Sequence, residues 1–321
     1  MDYQFEGIVT ALSSISHIGE THGVNARLRR EKLVTPDGIQ DVPVISGNSW
    51  RGQLRDCGMA YMCRRLGYGV DAQTGEVVGL PLPAFYFLFT GGALTKVGDR
   101  GLDIDAAREL RRLIPLVSVF GGAMGNQIME GKLVVGKLMP LCEETAHLVP
   151  VRFVPPSPPS VWEMLQEESY TRRDDEKSEN LRQLIAPEVR SLLEAGAAAK
   201  RAKARGGDTD EDVGQHQQMR YFVETFAAGS QFYWNVELRD VNDLEWEAFL
   251  SCLMEFSKRP YVGGMSRVGH GKVAIHFDQW HEIEPRLAVA SAEVALPAGA
   301  AYERHLAERG GRIREVLDAM S

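Results

Sequence analysis

Residues 163–225 place the strongest constraint on how this chain can fold. They are polar, with an Ala/Lys/Arg tract at Ala197–Arg205, then Gly206-Gly207 and the acidic run Asp208–Asp212. Such a stretch buries too little apolar surface to offset the entropy of ordering it, so it is expected to project as an insertion. The core must then be assembled from the segments on either side.

Those segments carry readable periodicities. Phe5–Ser13 alternates as a half-buried strand does. A polar, basic segment from His17 to Asp41 reads as a loop. Ser46-Gly47-Asn48 resembles a cap, with Asn48 or Ser49 as capping group, ahead of a helix over about Ser49–Leu66 that carries Trp50, Leu54, Met59 and Met62. Residues 67–104 are Gly-rich and irregular. Lys132–Leu141 reads as a strand, and the five prolines of Pro150–Ser160 make an extended connector.

Beyond the insertion, Gln231–Leu238 alternates again. Asn242 with Glu245 forms a capping box for a helix that keeps Trp246, Phe249, Leu250, Leu253 and Phe256 on one face until Lys258-Arg259-Pro260. The Gly-rich stretch Gly263–Gly271 leads into a last strand, Lys272–Phe277. Beyond Glu282 an amphipathic helix over Tyr302–Met320 is expected to break at Gly310-Gly311. The order strand, helix, strand, insertion, strand, helix, strand predicts an α+β, ferredoxin-like (RRM-like) sheet, a scaffold often used to present RNA.

Composition narrows the class. The chain has 321 residues, 44% apolar and 25% charged, enough for a sizeable core. No apolar run approaches the roughly 20 residues of a membrane helix; Leu80–Phe89 is broken by Pro81 and Pro83. The opening MDYQFEGIVT has neither a basic nor an apolar leader region, so a cytoplasmic protein with no membrane partner is expected. Cys57, Cys63, Cys142 and Cys252 form no CxxC pair, which points to free thiols rather than a metal site or disulfides. The net charge of −8 argues mildly against a protein that coats nucleic acid, but the cations are clustered.

Four clusters stand out. In Ile45–Asp56, Ser46, Gly47, Asn48 and Ser49 open a helix on which Arg51 and Arg55 share a face. A helix start offers free N–H groups to an anion, and the guanidiniums would face the same ligand; the alternative is a solvated pair of surface arginines. In Gly263–Lys272, four glycines (Gly263, Gly264, Gly269, Gly271) alternate with Arg267, His270 and Lys272. Main-chain N–H groups with fixed charge suit a phosphate backbone, although such a stretch also serves as a plain turn. Arg27, Arg29, Arg30 and Lys32 crowd one segment, opposed by Glu31. Tyr170-Thr171-Arg172-Arg173 joins an aromatic face to two guanidiniums, as single-strand binding requires.

Catalytic patterns are weak by contrast. The eight histidines form no HExxH and there is no G-x-S-x-G. His17 or His22 as proton-transfer groups, or Glu20 or Glu31 as ligands in a metal-assisted cut, define a ribonuclease alternative. A small-molecule enzyme on the same scaffold is a third.

The Ser46–Arg55 and Gly263–Lys272 motifs, in this order and at opposite ends of the chain, resemble the CRISPR RAMP superfamily. With SYTRRDD (Ser169–Asp175) opening the insertion and LVSVFGGAMGNQ (Leu116–Gln127), the chain is similar to the Cas-seven backbone subunit, most of all the type IV version. The resemblance implies a ferredoxin-like palm with finger and thumb insertions. The palm would comprise 1–66, 132–162 and 226–282, with a finger over 67–131, a thumb over 163–225 and a C-terminal extension over 283–321.

It further implies a helical filament of copies along a guide RNA (crRNA), which pairs with a target nucleic acid, and association with other subunits of the effector complex. Arg51, Arg55 and the Gly263–Lys272 loop would hold guide phosphates. Relatives that cut target RNA use an Asp after the first strand. Ser14–Thr35 holds none, so the resemblance implies a subunit without catalytic residues, metal or cofactor.

Overall fold

The computed structural model describes residues 1–35, 38–70, 74–92, 104–124, 127–171, 220–277 and 300–320. The chain begins with β1 (Tyr3–Ala11), then β2 (Ile18–His22), β3 (Asn25–Leu28), β4 (Arg30–Thr35) and β5 (Gly38–Pro43), and enters α1 (Gly47–Arg65). A ribbon of β6 (Gly69–Val70) and β7 (Val77–Val78) precedes α2 (Leu82–Phe85), α3 (Ile104–Leu113) and α4 (Pro115–Phe120). The hairpin β8 (Gly122–Met124) and β9 (Gln127–Met129) leads to β10 (Leu133–Val135) and β11 (Met139–Pro140). Then come β12 (Leu165–Thr171), β13 (Arg220–Phe226), β14 (Gln231–Leu238), α5 (Asp243–Lys258), β15 (Val273–Phe277) and α6 (Ala300–Asp318).

The central sheet is antiparallel, in the order β10-β14-β1-β15, with β11 also on β14. Alternation decides its faces. Phe5, Val9 and Ala11 of β1 and Phe232, Trp234, Val236 and Leu238 of β14 enter the main core, while Tyr233 turns to a smaller cluster with Leu141, Val149 and Phe153. Gly7 permits close pairing, because a Cβ there would stand 2.2 Å from the His276 carbonyl oxygen.

Helices α1 and α5 pack together over the main core. Trp50 meets Trp234 and Phe256 edge-on, with centroids 4.7 and 5.0 Å apart. Burying such aromatics contributes about 1.5–3 kcal/mol each. Gly58 sits where its Cβ would be 2.2 Å from Cys252 Sγ, which fixes how closely the helices cross. All four cysteines are free thiols, three of them buried. Among the described residues no helix is long and apolar enough to cross a membrane.

Several expectations are corrected. The basic segment His17–Asp41 is not a loop: β2 and β3 join β12 and β13 in a second sheet, and β4 pairs with β5. Its polar residues pair through backbone, which composition does not reveal. Residues 67–104 hold β6, β7 and α2, with Pro81 at the position before the helix and Pro83 in its first turn, where a missing N–H costs nothing. Lys132–Leu141 is split into Leu133–Val135 and Met139–Pro140, both paired with β14, and Gly136 between them lies against Asn235 where a Cβ would clash.

The insertion's two ends, β12 and β13, are paired strands; Ala197–Arg205 and Asp208–Asp212 lie outside the described residues. Helix α6 runs unbroken through Gly310-Gly311. Gly310 faces Leu66, where a Cβ would come within 3.1 Å of the leucine, so the glycine serves packing and tolerates its helical penalty of about 1 kcal/mol.

Candidate nucleic-acid interface

Five consecutive residues after β1 gather the clusters. Ser13 Oγ accepts the Lys272 N–H at 2.9 Å. Ser14 O accepts the Gly271 N–H at 2.7 Å, and Ser14 Oγ lies 3.0 Å from His270 Nδ1. Ile15 exchanges two backbone bonds of 2.9 Å with Phe226, at the end of β13. Ser16 O accepts the Gly264 N–H at 2.7 Å. His17 Nε2 accepts the Ser46 N–H at 3.2 Å, and its carbonyl accepts the Arg29 N–H at 2.8 Å. The glycine-rich loop, the start of α1, the base of the insertion and the basic strands thus all attach to Ser13–His17. The only hint in the sequence is small hydroxyls alternating with Ile15.

At the start of α1 the cap is Ser46 itself, not Asn48 or Ser49: its Oγ accepts the Ser49 N–H at 3.2 Å from an extended backbone. Gly47 is obligatory, since a Cβ would lie 2.3 Å from Val135 O. Arg51 and Arg55 are half-buried and converge on one acceptor. Both donate to the Phe120 carbonyl, Arg55 at 2.8 Å, and Arg55 also reaches Gly121 O at 3.3 Å while lying over the Phe120 ring. These carbonyls end α4, where the helix dipole favours cations. Burial pulls both guanidiniums below their usual range, and Arg51 adds repulsion to Arg55. Among the described residues neither Nε has a hydrogen-bond partner.

The glycine-rich loop spans the gap between α5 and β15. Gly263, Gly269 and Gly271 have φ of +73°, +97° and +85°, and Met265 is left-handed at +60°. The expectation that glycine N–H groups stand free is corrected: those of Gly264, Gly269 and Gly271 are bonded within the protein. Exposure belongs instead to the side chains of Arg267 and Lys272. Gln53 Nε2 donates to Gly263 O at 3.3 Å, so the loop rests on α1 through Gln53 rather than through Arg51.

Tyr170 and His270, 100 residues apart, are brought together in a partly buried network. His270 is 2% exposed. Tyr170 Oη bonds to His270 Nε2 and donates to Glu168 Oε2 at 2.7 Å; Gln166 and Thr225 also donate to Glu168. Burial and then the Glu168 carboxylate push Tyr170 up to about 12. Burial opposes ionisation of Glu168, but donors from Tyr170, Ser14 and Gln166 and the His270 charge outweigh it and hold Glu168 low. Arg172 and Arg173 lie outside the described residues.

Arg27 on β3, Arg29 in the link to β4 and Lys32 on β4 are exposed. Arg30 is half-buried, ion-paired with Glu224 and stacked 5.3 Å from the centre of Trp162, itself 52% exposed. Concavities of about 470 and 510 Å³ open on either side of Arg27 and Arg30. Glu31 pairs with Lys137 at 2.5 Å, and His22 with Glu20 at 3.2 Å in solvent.

The molecule is therefore an α+β protein built on a central antiparallel sheet, with cationic side chains and a glycine-rich loop tied to one short segment. No protein-family model matches the chain, and no curated protein matches it. A chain of the solved structure described as "Type IV-B CRISPR Complex" is similar in fold, with a TM-score of 0.57 and 22% identity over 89% of this chain and 96% of that one.

Proposed function

We propose that this chain is a guide-RNA-binding backbone subunit of a type IV CRISPR effector complex in the cytoplasm, polymerising along the guide and holding it for target pairing. The carrying observation is that the glycine-rich loop, the start of α1, the basic strands and, through Phe226, the base of the insertion all attach to Ser13–His17. The fold likeness and the sheet order β10-β14-β1-β15, with α1 and α5 over one face, support reading the core as a ferredoxin-like palm. Residues 67–131 then form the finger and 163–225 the thumb.

Binding without cutting is supported by His17. With Nε2 accepting the Ser46 N–H, the ring proton sits on Nδ1, and burial followed by the charge of Arg29 lowers its pKa. A ring so occupied is a poor proton shuttle. Specificity would come from base pairing, the protein reading phosphate and shape.

Arg267→Ala and Lys272→Ala test the reading, because both side chains are exposed and removing them leaves the fold intact. Each should reduce the dependence of log K on log salt for a labelled single-stranded RNA by about 0.7, one phosphate contact. Unchanged slopes in both variants, with protein that purifies free of nucleic acid, would overturn it.

A further inference from the structure

We propose a second polyanion site at the end of the central sheet opposite the glycine-rich loop. It is a groove of about 460 Å³, lined by Arg108, Arg111, Arg112, Lys132 and Asn242, that grips the phosphodiester backbone of a nucleic-acid strand without regard to sequence.

Placement makes it distinct. Gln231 pairs with Thr10 at the end of β14 nearest the loop, whereas Leu238 pairs with Tyr3 and Leu133 at the other. Lys132 precedes Leu133, and Asn242 caps α5 just beyond β14. Seven strand residues at about 3.3 Å each separate the two ends by ~23 Å. From Arg51 and Arg55 the groove is divided by α4: Pro115 and Ser118 line it, while the two arginines hold the carbonyls at the far end.

Charge makes it a site. Among the described residues four cations line the groove against one carboxylate, Glu245, which is already bonded to Lys132 at 2.7 Å and to the Asn242 N–H at 3.0 Å. Among the described residues the only carboxylate paired with Arg108 is that of the exposed Asp105, at 3.5 Å. Among the described residues neither Arg111 nor Arg112 has a carboxylate partner. In a chain with 44 acidic residues against 36 Lys and Arg, unpaired guanidiniums side by side are conspicuous.

Arg108 stands three and four residues before Arg111 and Arg112, so their Cβ atoms lie about 5–6 Å apart and the like charges cost a few tenths of a kcal/mol. The last-turn dipole compensates Arg111 and Arg112 but accounts for neither Lys132 nor the groove.

Chemistry selects the ligand. Guanidinium forks match phosphate bidentately. Among the described residues no aromatic side chain lines the groove, so the contact it offers is to backbone rather than to stacked bases. Single strands and duplexes should therefore both bind.

The test uses the full chain with labelled oligo-dT and a labelled DNA duplex, each titrated across salt. Arg111→Gln/Arg112→Gln should weaken both probes and reduce the slope by about 1.4 for the single strand and about 1.8 for the duplex, two phosphates each. Those losses should add to the losses from Arg267→Gln/Lys272→Gln, since the sites are far apart. Arg108→Gln, on an exposed side chain, should move both slopes in the same direction.

Circular dichroism melts confirm that each variant is folded. Unchanged slopes in folded Arg111→Gln/Arg112→Gln and Arg108→Gln would overturn the site. So would tighter binding of poly-glutamate than of either nucleic acid, which would assign the groove to an acidic protein. A null result for Arg267→Gln/Lys272→Gln alone would count against the guide site and leave this one standing.

Discussion

Replacing Gly263 and Gly269 separately by alanine isolates the contact that ties the glycine-rich loop to the rest of the molecule. Both glycines have positive φ, so alanine costs about 1–2 kcal/mol at either position from backbone strain alone. At Gly269 the cost stops there, because nothing lies within 4 Å of the added Cβ. At Gly263 the Cβ falls 2.3 Å from Ser16 O and 3.2 Å from its carbonyl carbon. That neighbour is backbone and cannot rotate away.

If the loop holds its place, overpacking adds about 1–3 kcal/mol. If it retreats, the Gly264 N–H to Ser16 O bond breaks, and leaving a buried partner unsatisfied costs a similar ~1–3 kcal/mol. Either route brings Gly263→Ala to about 2–5 kcal/mol against about 1–2 for Gly269→Ala. Urea unfolding by linear extrapolation measures both. Equal losses in the two variants would refute the claim that the Ser16 contact anchors the loop.

Two further outcomes follow from the same geometry. Ser46→Ala removes the cap on α1 and should cost about 1 kcal/mol in urea unfolding, with no change expected for Asn48→Ala, whose side chain caps nothing. Because Glu168 is held below the usual carboxylate range, its ionised form favours the fold. The contribution is full above the unfolded value near 4.5 and is lost as pH falls through the lower folded value. Unfolding free energies measured through that window should fall less steeply in Glu168→Gln than in the parent chain, and parallel slopes would show that Glu168 is not the group responsible.

The central sheet and its two long helices were legible because local patterns and tertiary demands agree there. Alternation along Gln231–Leu238 matches β14, and the Asn242–Glu245 box is the start of α5. The basic strands were illegible for a physical reason. Ile18–His22 is exposed along its whole length, so no period-two apolar signal exists to read, and the strand is specified by its partner β3 instead. Gly310-Gly311 misled in the opposite sense: Gly310 answers to Leu66 across the helix interface, and packing accounts for nothing at Gly311.

Residue types at the candidate interface could be read from the chain, but their partners could not, and partners decide what each residue can do. Arg51 and Arg55 at i,i+4 are equally consistent with a free anion clamp and with a structural staple. Phe120, 65 residues beyond Arg55, makes them in part a staple by presenting one carbonyl to two guanidiniums. The carbonyls of Phe120 and Gly121 carry only partial charge, and although Asp56 offsets Arg55 in part, burial, joined at Arg55 by repulsion from Arg51, still holds both guanidiniums below their usual range. The same reasoning ranks the loop residues: the glycines fix the path of the backbone against Ser14 and Ser16, and that path holds Arg267 and Lys272 in solvent on a support that reaches through Gln53 to the helix bearing the two arginines.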